Sequence, residues 1–408
     1  MAVEVGSVLL ATPRWTRDGG VAAHAIASAT ALAERGVEVH AVAARIEAET
    51  IPGVTVHHAP NLFKAHVSPE QRLGDAHRLH PSAIHLHQFD DPEVLAVMQE
   101  LAPVLASVHG YSACTSGVHY FRPGQECTRA HGPGCVPNLA LRGCAHTRDP
   151  RTLPAGYRRA TRSVQALRRA DLAISYSSTI DRHLAANGVV HRTIVPLFAT
   201  MQPAGADEQD GRVVFAGRVI TAKGIAVLIR AMRGVRGELV VCGDGWQLEA
   251  MRKLAQRLGV SERVRFTGWL AAEDLARELA EASVVAMPSL WPEPFGLVGI
   301  EAGASGRPVV ASSTGGVGDW LRDGVNGVLV EPGDARALAR ALNELLADPG
   351  RRRELGTAAR ETVAARFTPE RHVAALREAY RTARAHWLAA RGDTRDGAST
   401  ARAEPSQV

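Results

Sequence analysis

Two glutamates stand eight positions apart in the stretch SLWPEPFGLVGIEA, residues 289–302. The apolar run ASVVAMP before it predicts a buried strand, so WPEPFG is expected to be a turn that carries Glu293. Glu301 follows two helical turns later, and eight residues at about 100° each return close to the starting direction. We therefore expect both carboxylates in one row. Carboxylates accept hydrogen bonds from vicinal diols, such as those of a sugar ring or a ribose.

The residues after this turn are expected to begin the helix that contains Glu301. Phe295, Gly296 and Leu297 would form its first turn, whose backbone N–H groups have no partner within the helix. These N–H groups and the positive end of the helix dipole suit a phosphate. The stretch thus predicts a nucleotide-sugar site, with hexose hydroxyls near Glu293 and ribose hydroxyls near Glu301.

The segment FAGRVITAKG, residues 215–224, follows another predicted strand and carries two cations. Arg218 and Lys223 flank a short turn, where a planar guanidinium and a compact ammonium can clamp two phosphate groups. The chain has only two other lysines, Lys64 and Lys253, and otherwise uses arginine. This usage favours a functional Lys223 over a solvated surface charge.

The loop TPRWTRDGGVAAH follows the first predicted strand, and Gly19 and Gly20 open a helix there. Glycines allow backbone N–H groups to approach an anion closely, so the loop is a candidate second contact for a phosphate. A tight turn without any ligand explains the same pair equally well.

The composition is that of an ordinary folded protein with two domains. The 408 residues are 46% hydrophobic, and 47 Lys plus Arg against 42 Asp plus Glu leave a formal charge of +5. This charge is too mild to predict nucleic-acid binding without a concentrated patch. The start MAVEVGSVLLATPRW predicts a strand rather than a signal peptide, and no apolar run reaches the roughly 18 residues of a membrane span. We expect a cytoplasmic protein.

Two series of strand-like runs alternate with helical segments and predict an α/β fold with two doubly wound sheets. The runs from SVLLAT to DLAISYS indicate a domain at 1–195, and those from RVVFAG to GVLVEP a second domain at 212–368. Residues 196–211 are interpreted as the linker. A last helix at 369–388 is expected to pack back on the first domain, with a disordered tail at 389–408. Ligands of such sheets bind outside the strand carboxyl ends, so both domains should face one cleft.

These motifs occur in the order of a known family. PEPFGLVGIEA resembles the E-x7-E signature of the retaining GT-B glycosyltransferases of family 4, the glycosyl transferases of group 1, and GRVITAKG is similar to their donor-phosphate turn. The GGV loop, the His that ends VLASVHG, the FTGW turn and ASSTGGVGDWLRDGVNGVLVEPGD extend the likeness over nearly the whole chain. The resemblance implies a GT-B fold, in which an acceptor-side and a donor-binding Rossmann-like domain face a central cleft.

The resemblance also implies a role for each matching residue. Glu293 and the backbone from Phe295 to Leu297 would contact the donor hexose and the phosphates, and Glu301 would hold the ribose. His109, at the end of VLASVHG, would face the donor sugar. The other implied donor contacts are Gly19 and Gly20 beside the diphosphate, Arg218 and Lys223 neutralising it, and Gly243 and Trp269 near the base. Catalysis would depend on Glu293, His109, Arg218 and Lys223.

Enzymes of this kind move a hexose or N-acetylhexosamine from a nucleotide sugar to a hydroxyl with retention of configuration. The resemblance implies that no metal is required for catalysis, and the chain has no Asp-x-Asp motif in a corresponding loop. A UDP-sugar is favoured over a GDP-sugar, and the acceptor is a small natural product such as an aminocyclitol or a growing envelope glycan. The alternatives are a non-catalytic nucleotide-sugar-binding partner in a biosynthetic complex and a GT-B phosphorylase or epimerase.

Residues 114–146 depart from the family pattern and are interpreted as an ordered acceptor-side insertion. The segment contains Cys114, Cys127, Cys135 and Cys144, with His119, His131 and His146 nearby. Four thiolates are enough for a structural zinc site, although their spacing lacks a C-x2-C pair. Disulfides, disfavoured in a reducing compartment, and independent thiols are the alternatives.

Residues 142–169 are densely arginine-bearing. Such a basic face suits peripheral contact with an anionic membrane, which would fit a lipid-linked acceptor. A solvated helix face or a contact with an anionic soluble acceptor explains the same residues.

Overall fold

A computed structural model describes residues 6–17, 19–48, 50–64, 66–87, 92–114, 120–122, 125–141, 144 and 150–399. Its centre is a pair of parallel sheets of seven and six strands. Among the described residues, no helix is both long and apolar enough to cross a membrane.

The amino-terminal sheet has the strand order β3-β2-β1-β4-β5-β8-β9. The strands of this part of the chain are β1 Ser7–Trp15, β2 Glu38–Ile46, β3 Val54–His58, β4 Ala83–His87, β5 Val104–Val108, β8 Leu172–Ser175 and β9 Arg192–Ile194, with the short antiparallel pair β6 Tyr120–Arg122 and β7 Gln125–Glu126. The helices are α1 Gly20–Ala33, α2 Pro69–Leu73, α3 Pro92–Leu101, α4 Cys135–Leu141, α5 Leu153–Arg169 and α6 Ser178–Ala186.

The carboxy-terminal sheet has the order β12-β11-β10-β13-β14-β15. Its strands are β10 Arg212–Ala216, β11 Glu238–Cys242, β12 Val264–Gly268, β13 Val284–Met287, β14 Val309–Ser312 and β15 Val328–Val330. The helices that follow in this part of the chain are α7 Ile225–Ala231, α8 Leu248–Arg257, α9 Ala272–Glu281, α10 Leu297–Ala304, α11 Ala335–Ala347, α12 Pro349–Arg366 and α13 Pro369–Ser399. Helices cover parallel sheets on both faces, which is why central strands such as VVAM of β13 are buried along their whole length.

The strand order reverses between β1 and β4 in the first sheet and between β10 and β13 in the second. Ligands of doubly wound sheets bind at such switch points, beyond the strand carboxyl ends. The predicted α/β architecture of two doubly wound, Rossmann-like domains is therefore present. The loops after β10 and β13 are those that contain Lys223 and Glu293.

The last helix, α13, packs against α1 and against strands β4, β5 and β8 of the amino-terminal sheet. Trp387 Nε1 donates a hydrogen bond to the Gln99 carbonyl at 2.8 Å, and Arg391 donates to the same oxygen at 3.0 Å. The expectation of a disordered tail from residue 389 is wrong for residues 389–399, which continue this helix. Once a helix is nucleated, each further residue adds one hydrogen bond at little cost, so no apolar stripe is needed to extend it. Residues 400–408 lie outside the described part of the chain.

The interpreted linker is not solvent-exposed throughout. Leu197 and Phe198 are buried in the core cluster that also contains residues of both sheets. The backbone N–H of Ala199 donates to the Phe367 carbonyl. The chain that connects the domains is therefore tied to the core at its amino-terminal end.

Candidate functional site

Lys223 and Glu293 meet at the switch point of the carboxy-terminal sheet. Lys223 ends a 3₁₀ turn, Thr221–Lys223, after β10, and Glu293 lies in the turn after β13. Lys223 Nζ is 2.6 Å from Glu293 Oε1. The two loops approach because Gly224, at φ 68°, has no Cβ: one there would lie 1.8 Å from the Pro288 carbonyl oxygen.

Two further side chains donate to the same oxygen of Glu293. Ser289 Oγ lies 2.5 Å and Trp291 Nε1 3.1 Å from Oε1. Burial by itself would raise the pKa of Glu293, but the charge of Lys223 and these hydrogen bonds outweigh it and hold the pKa below its ordinary value. Glu293 is therefore an ionised carboxylate at neutral pH. Both donors belong to the SLWPEPFG stretch, where sequence reasoning overlooked them although a hydroxyl four residues before Glu293 and an indole two residues before it were a visible signal.

Arg218 follows β10 and is exposed, on the same loop as Lys223. The exposed guanidinium of Arg218 and the half-buried ammonium of Lys223 therefore place two cations on one loop at this edge of the sheet. The arrangement suits an anion larger than a single carboxylate.

The helix after Glu293 begins later than expected. α10 starts at Leu297, and Gly296 precedes it as the N-cap with φ 92°, so Phe295 and Gly296 are not in its first turn. The left-handed conformation of Gly296 forces the chain to turn before the helix can start. Phe295 is buried, and its carbonyl accepts a hydrogen bond from Trp320 Nε1 at 2.7 Å. Because Glu293 lies outside the helix, helical periodicity does not align it with Glu301.

Glu301 is buried inside α10, and both its carboxylate oxygens contact the linker. Oε1 accepts from the Thr200 N–H at 2.7 Å and from Thr200 Oγ1 at 2.9 Å, and Oε2 accepts from the Met201 N–H at 3.1 Å. Burial raises the pKa of Glu301 to about 7, against the opposing effect of these hydrogen bonds. In this structure Glu301 and Glu293 therefore have separate sets of partners.

The loops after β11 and β12 are joined through Gly243, whose N–H donates to the Gly268 carbonyl at 2.8 Å. A Cβ at Gly243 would lie 1.9 Å from the Gly217 carbonyl oxygen, so glycine permits the close approach to the loop that carries Arg218. Trp269 is 55% exposed beside this junction, and Trp246, which was not singled out from the sequence, is 71% exposed on the β11 loop. Exposed indoles at strand carboxyl ends are free to stack on a planar ligand.

On the amino-terminal side, Gly19 is the N-cap of α1 with φ 87°, and Gly20 is the first residue of the helix. Both are exposed, and a Cβ on either would meet nothing within 4 Å. A lack of room for a side chain therefore does not explain why both positions are glycine. His109 follows β5 directly. Tyr111, two residues later, contacts Trp291 in an edge-on arrangement with ring centroids 6.1 Å apart. The β5 loop and the Glu293 turn therefore belong to the same neighbourhood.

Two more contacts join the domains next to Glu293. Glu126 in β7 accepts a hydrogen bond from the Gly315 N–H at 2.9 Å, and the Gly316 N–H donates to the Glu293 carbonyl at 2.7 Å. Asp319 accepts from the N–H and the hydroxyl of Ser178, at the start of α6. The insertion thus reaches the loop that supports Glu293, which the sequence could not indicate.

The four clustered cysteines are free thiols. Burial and the neighbouring Cys114 raise the pKa of Cys144 to about 11, so this thiol is protonated at neutral pH. Within the described ranges, no three His, Cys, Asp or Glu side chains are grouped so as to hold a metal ion. The candidate zinc site at Cys114, Cys127, Cys135 and Cys144 is therefore not present among the described residues. His119 and His146 lie outside them.

Residues 199–362 match the family described as "Glycosyl transferases group 1". The carboxy-terminal domain belongs to this family. The group 1 domain contains Arg218, Lys223, Glu293 and Glu301, and the matched range begins at the linker.

Two relatives of this chain have names that state a biosynthetic role. A D-inositol 3-phosphate glycosyltransferase of Streptomyces griseus subsp. griseus is 39% identical over 194 residues, 42% of this chain and 41% of that protein. The lipopolysaccharide core biosynthesis glycosyltransferase LpsE of Rhizobium meliloti is 39% identical over 169 residues, 41% of this chain and 48% of LpsE. The alignments thus span less than half of the length of either relative.

Among solved structures, HepE of Anabaena in complex with UDP-glucose resembles the whole chain. The TM-score is 0.65, over 92% of this chain and 98% of HepE, at 20% identity. This likeness shows that the two domains of the chain have the GT-B fold.

Proposed function

We propose that the protein is a retaining glycosyltransferase that transfers a hexose or N-acetylhexosamine from a nucleotide sugar to a hydroxyl group. The observation that carries the proposal is the Lys223–Glu293 pair at the switch point of the group 1 domain, with Nζ and Oε1 2.6 Å apart. One loop supplies cations for the diphosphate, and the other supplies a carboxylate for the hexose hydroxyls.

The proposed reaction exchanges one bond at the anomeric carbon. The bond from this carbon to the diphosphate oxygen breaks, a bond to the acceptor oxygen forms on the same face, and the acceptor's proton passes to the departing phosphate. Arg218 and Lys223 stabilise the charge that develops on the diphosphate. Glu293 orients the hexose, and no metal ion is required by this arrangement of cations.

Lys223 is paired with Glu293. A bound diphosphate therefore shares or displaces this contact, and the carboxylate then becomes available to sugar hydroxyls. In this proposal Gly19, Gly20 and the Leu297 N–H lie beside the phosphates, Gly243 and Trp269 near the base, and Glu301 near the ribose. His109 faces the donor sugar from the other domain.

A UDP-sugar is the favoured donor, which the UDP-glucose bound to HepE supports as an analogy at the level of the fold. For the acceptor, the names of the two relatives point to an inositol phosphate and to a lipopolysaccharide core. Both are consistent with a small cyclitol-like natural product or an envelope glycan. We place the protein in the cytoplasm, with domains at 1–195 and 212–368.

The test is donor consumption. The protein is incubated with a panel of UDP- and GDP-sugars, with and without cyclitol and glycan acceptors, while thermal shift is measured across the nucleoside diphosphates. We expect slow hydrolysis of one donor, faster consumption with an acceptor, and a product with retained configuration. Arg218→Gln, a change at an exposed residue, should reduce the stabilisation by the diphosphate. Binding without turnover would indicate the non-catalytic partner, and turnover with phosphate as the acceptor would indicate a phosphorylase.

Peripheral membrane contact through residues 142–169 is a separate part of the proposal. In α5, Arg158, Arg162 and Arg169 are exposed, while Val164 and Leu167 are buried in the domain. A basic helix face adds attraction to anionic lipids of about 1 kcal/mol per residue near the surface. Co-sedimentation with anionic but not neutral vesicles, lost on replacing these three arginines by glutamine, would support it. Equal recovery with both vesicles would indicate a solvated face.

A further inference from the structure

Five histidines from distant parts of the chain form one buried cluster beneath the cleft. They share low pKa values, because burial lowers the pKa of each below its ordinary value, and so they are neutral at neutral pH. The cluster consists of His24 on α1, His85 and His87 on β4, His109 after β5, and His372 on α13.

One contact of this cluster reaches the histidine that faces the cleft. His87 Nδ1 lies 3.2 Å from His109 Nε2, and the two rings are stacked with centroids 5.4 Å apart and planes inclined by 28°. Two neutral imidazoles can share such a bond only if one nitrogen carries the proton and the other accepts it. The nitrogen with which His109 can meet a ligand is therefore Nδ1.

The neighbours of His87 restrict where its own proton lies. His87 is fully buried, and its Nε2 has no hydrogen-bond partner among the described residues. The adjacent His85, with its ring centroid 4.3 Å away, is engaged at both nitrogens, by Tyr380 OH at 3.0 Å and Ser107 Oγ at 2.6 Å. It cannot serve as a partner for His87 without losing one of these bonds.

The unpartnered nitrogen selects one of the two proton arrangements. If His109 Nε2–H donated, His87 would carry its proton on Nε2 as a buried N–H without an acceptor. If His87 Nδ1–H donates, Nε2 is an unprotonated acceptor without a donor. Buried N–H groups without an acceptor are rarer in proteins than under-satisfied acceptors, so the second arrangement is favoured.

We propose that His87 is a positioning residue that donates its Nδ1–H to His109 and thereby holds His109 in the tautomer with the proton on Nδ1. His109 then presents a hydrogen-bond donor to an oxygen of the donor substrate. The inference rests on the proposed function, in which His109 faces the donor sugar, and it assigns a role to a buried residue that does not touch substrate. The hydrogen bond at one ring nitrogen of a histidine generally sets whether the other ring nitrogen carries the proton.

Long-range ¹H–¹⁵N spectra of histidine-labelled protein report the tautomer directly, without any substrate. We expect His109 to carry its proton on Nδ1 in the wild type and in His87→Asn, whose amide N–H can replace the His87 donor. In His87→Phe, which keeps a buried ring but neither donates nor accepts, the tautomer of His109 is no longer fixed, and a population with the proton on Nε2 should appear. His372→Phe is the matched control, because it also removes a buried imidazole but contacts neither His87 nor His109 through a hydrogen bond. It should leave the tautomer unchanged.

Kinetics provide the second readout. His87→Phe should lower kcat severalfold, because only the population of His109 with the proton on Nδ1 keeps the donor, while UDP affinity stays within about twofold of wild type. His87→Asn should restore most of kcat, and melting curves establish that each variant is folded. A wild-type His109 protonated on Nε2, or a tautomer change in His87→Phe without loss of kcat, would overturn the proposal. A wild type that turns over no donor, with the tautomers as expected, would instead overturn the proposed function.

Discussion

Lys223 Nζ lies 2.6 Å from Glu293 Oε1, although the two residues come from different strand loops and Glu293 is almost fully buried. The pair neutralises a carboxylate that would otherwise be costly to bury. It also keeps an ammonium at the sheet edge where the diphosphate is proposed to bind. The proposed function therefore makes stability and donor binding depend on the same lysine.

Replacing Lys223 and Arg218 separates these two effects. Lys223→Gln leaves Glu293 buried without a cation, so its pKa rises and we expect a loss of about 2 kcal/mol in the free energy of unfolding. Arg218→Gln, at an exposed position, should cost less than about 0.5 kcal/mol. Both should weaken diphosphate binding. Chemical denaturation and calorimetry with UDP check this, and equal stability of the two variants would contradict it.

Glu293→Gln should act on turnover rather than on nucleotide affinity. The amide keeps the shape of the side chain but loses the charge that is proposed to face the hexose, where positive charge develops in the transition state. We expect kcat to fall on the order of 100-fold, with UDP affinity nearly unchanged. Donor consumption and calorimetry are measured on the same preparation. A parallel loss of UDP affinity would show that Glu293 binds the nucleotide rather than the sugar.

Glu301→Ala should have two consequences, because the carboxylate holds the linker. Loss of the bonds from Thr200 and Met201 is expected to lower stability by about 2 kcal/mol, and loss of ribose contacts to weaken UDP binding by about 1.5–3 kcal/mol. Thr200→Val is the control, since it removes only the hydroxyl bond to Glu301. It should cost about 1 kcal/mol of stability and leave UDP binding at least as tight as in the wild type. Unimpaired UDP binding in Glu301→Ala would show that Glu301 holds the linker but does not bind the nucleotide.

His372 should make stability sensitive to acid. Burial lowers the pKa of its ring to about 4, against the usual 6.5, so the unfolded chain takes up the proton first and stability is lost as pH falls below about 6.5. His372→Phe removes this penalty together with the bonds to Ser28 and Pro196. At pH 7 we expect the variant to have a lower free energy of unfolding than the wild type. This difference should be smaller by roughly 2 kcal/mol at pH 5. Urea denaturation at both pH values measures this difference. The same difference at pH 7 and pH 5 would contradict a lowered pKa of His372.

Gly299→Ala tests the packing beneath the Glu293 turn. A Cβ at Gly299 would lie 2.0 Å from the ring of Trp320, whose Nε1 holds the Phe295 carbonyl. We expect a loss of about 2–3 kcal/mol in the free energy of unfolding and reduced kcat, because the indole must move. Gly318→Ala is the matched control, since a Cβ there meets nothing within 4 Å. Similar melting temperatures for the two variants would contradict this account.

Much of the fold follows from local patterns. All six strand runs of the second series correspond to β10 to β15, because apolar β-branched runs between turn residues are typical of buried parallel strands. β3 and β9 went unrecognised, since VTVHH and RTI are short edge strands with polar residues. The start of α10 was placed two residues early because a left-handed Gly296 is not visible in the hydrophobic pattern.

Residue types alone specify which chemical groups are available at the candidate site: two carboxylates, a rare lysine, an arginine and glycines, each following a strand that local patterns predict. Which of these groups come into contact depends on tertiary packing. Glu301 bonds residues 100 and 101 positions away, Glu293 pairs with a lysine 70 positions away, and His24 shares Ser28 with His372, 344 positions from that serine. Helix and strand periodicity extends over a few residues, whereas these contacts depend on how whole elements pack across the sheets, and no local pattern contains that information.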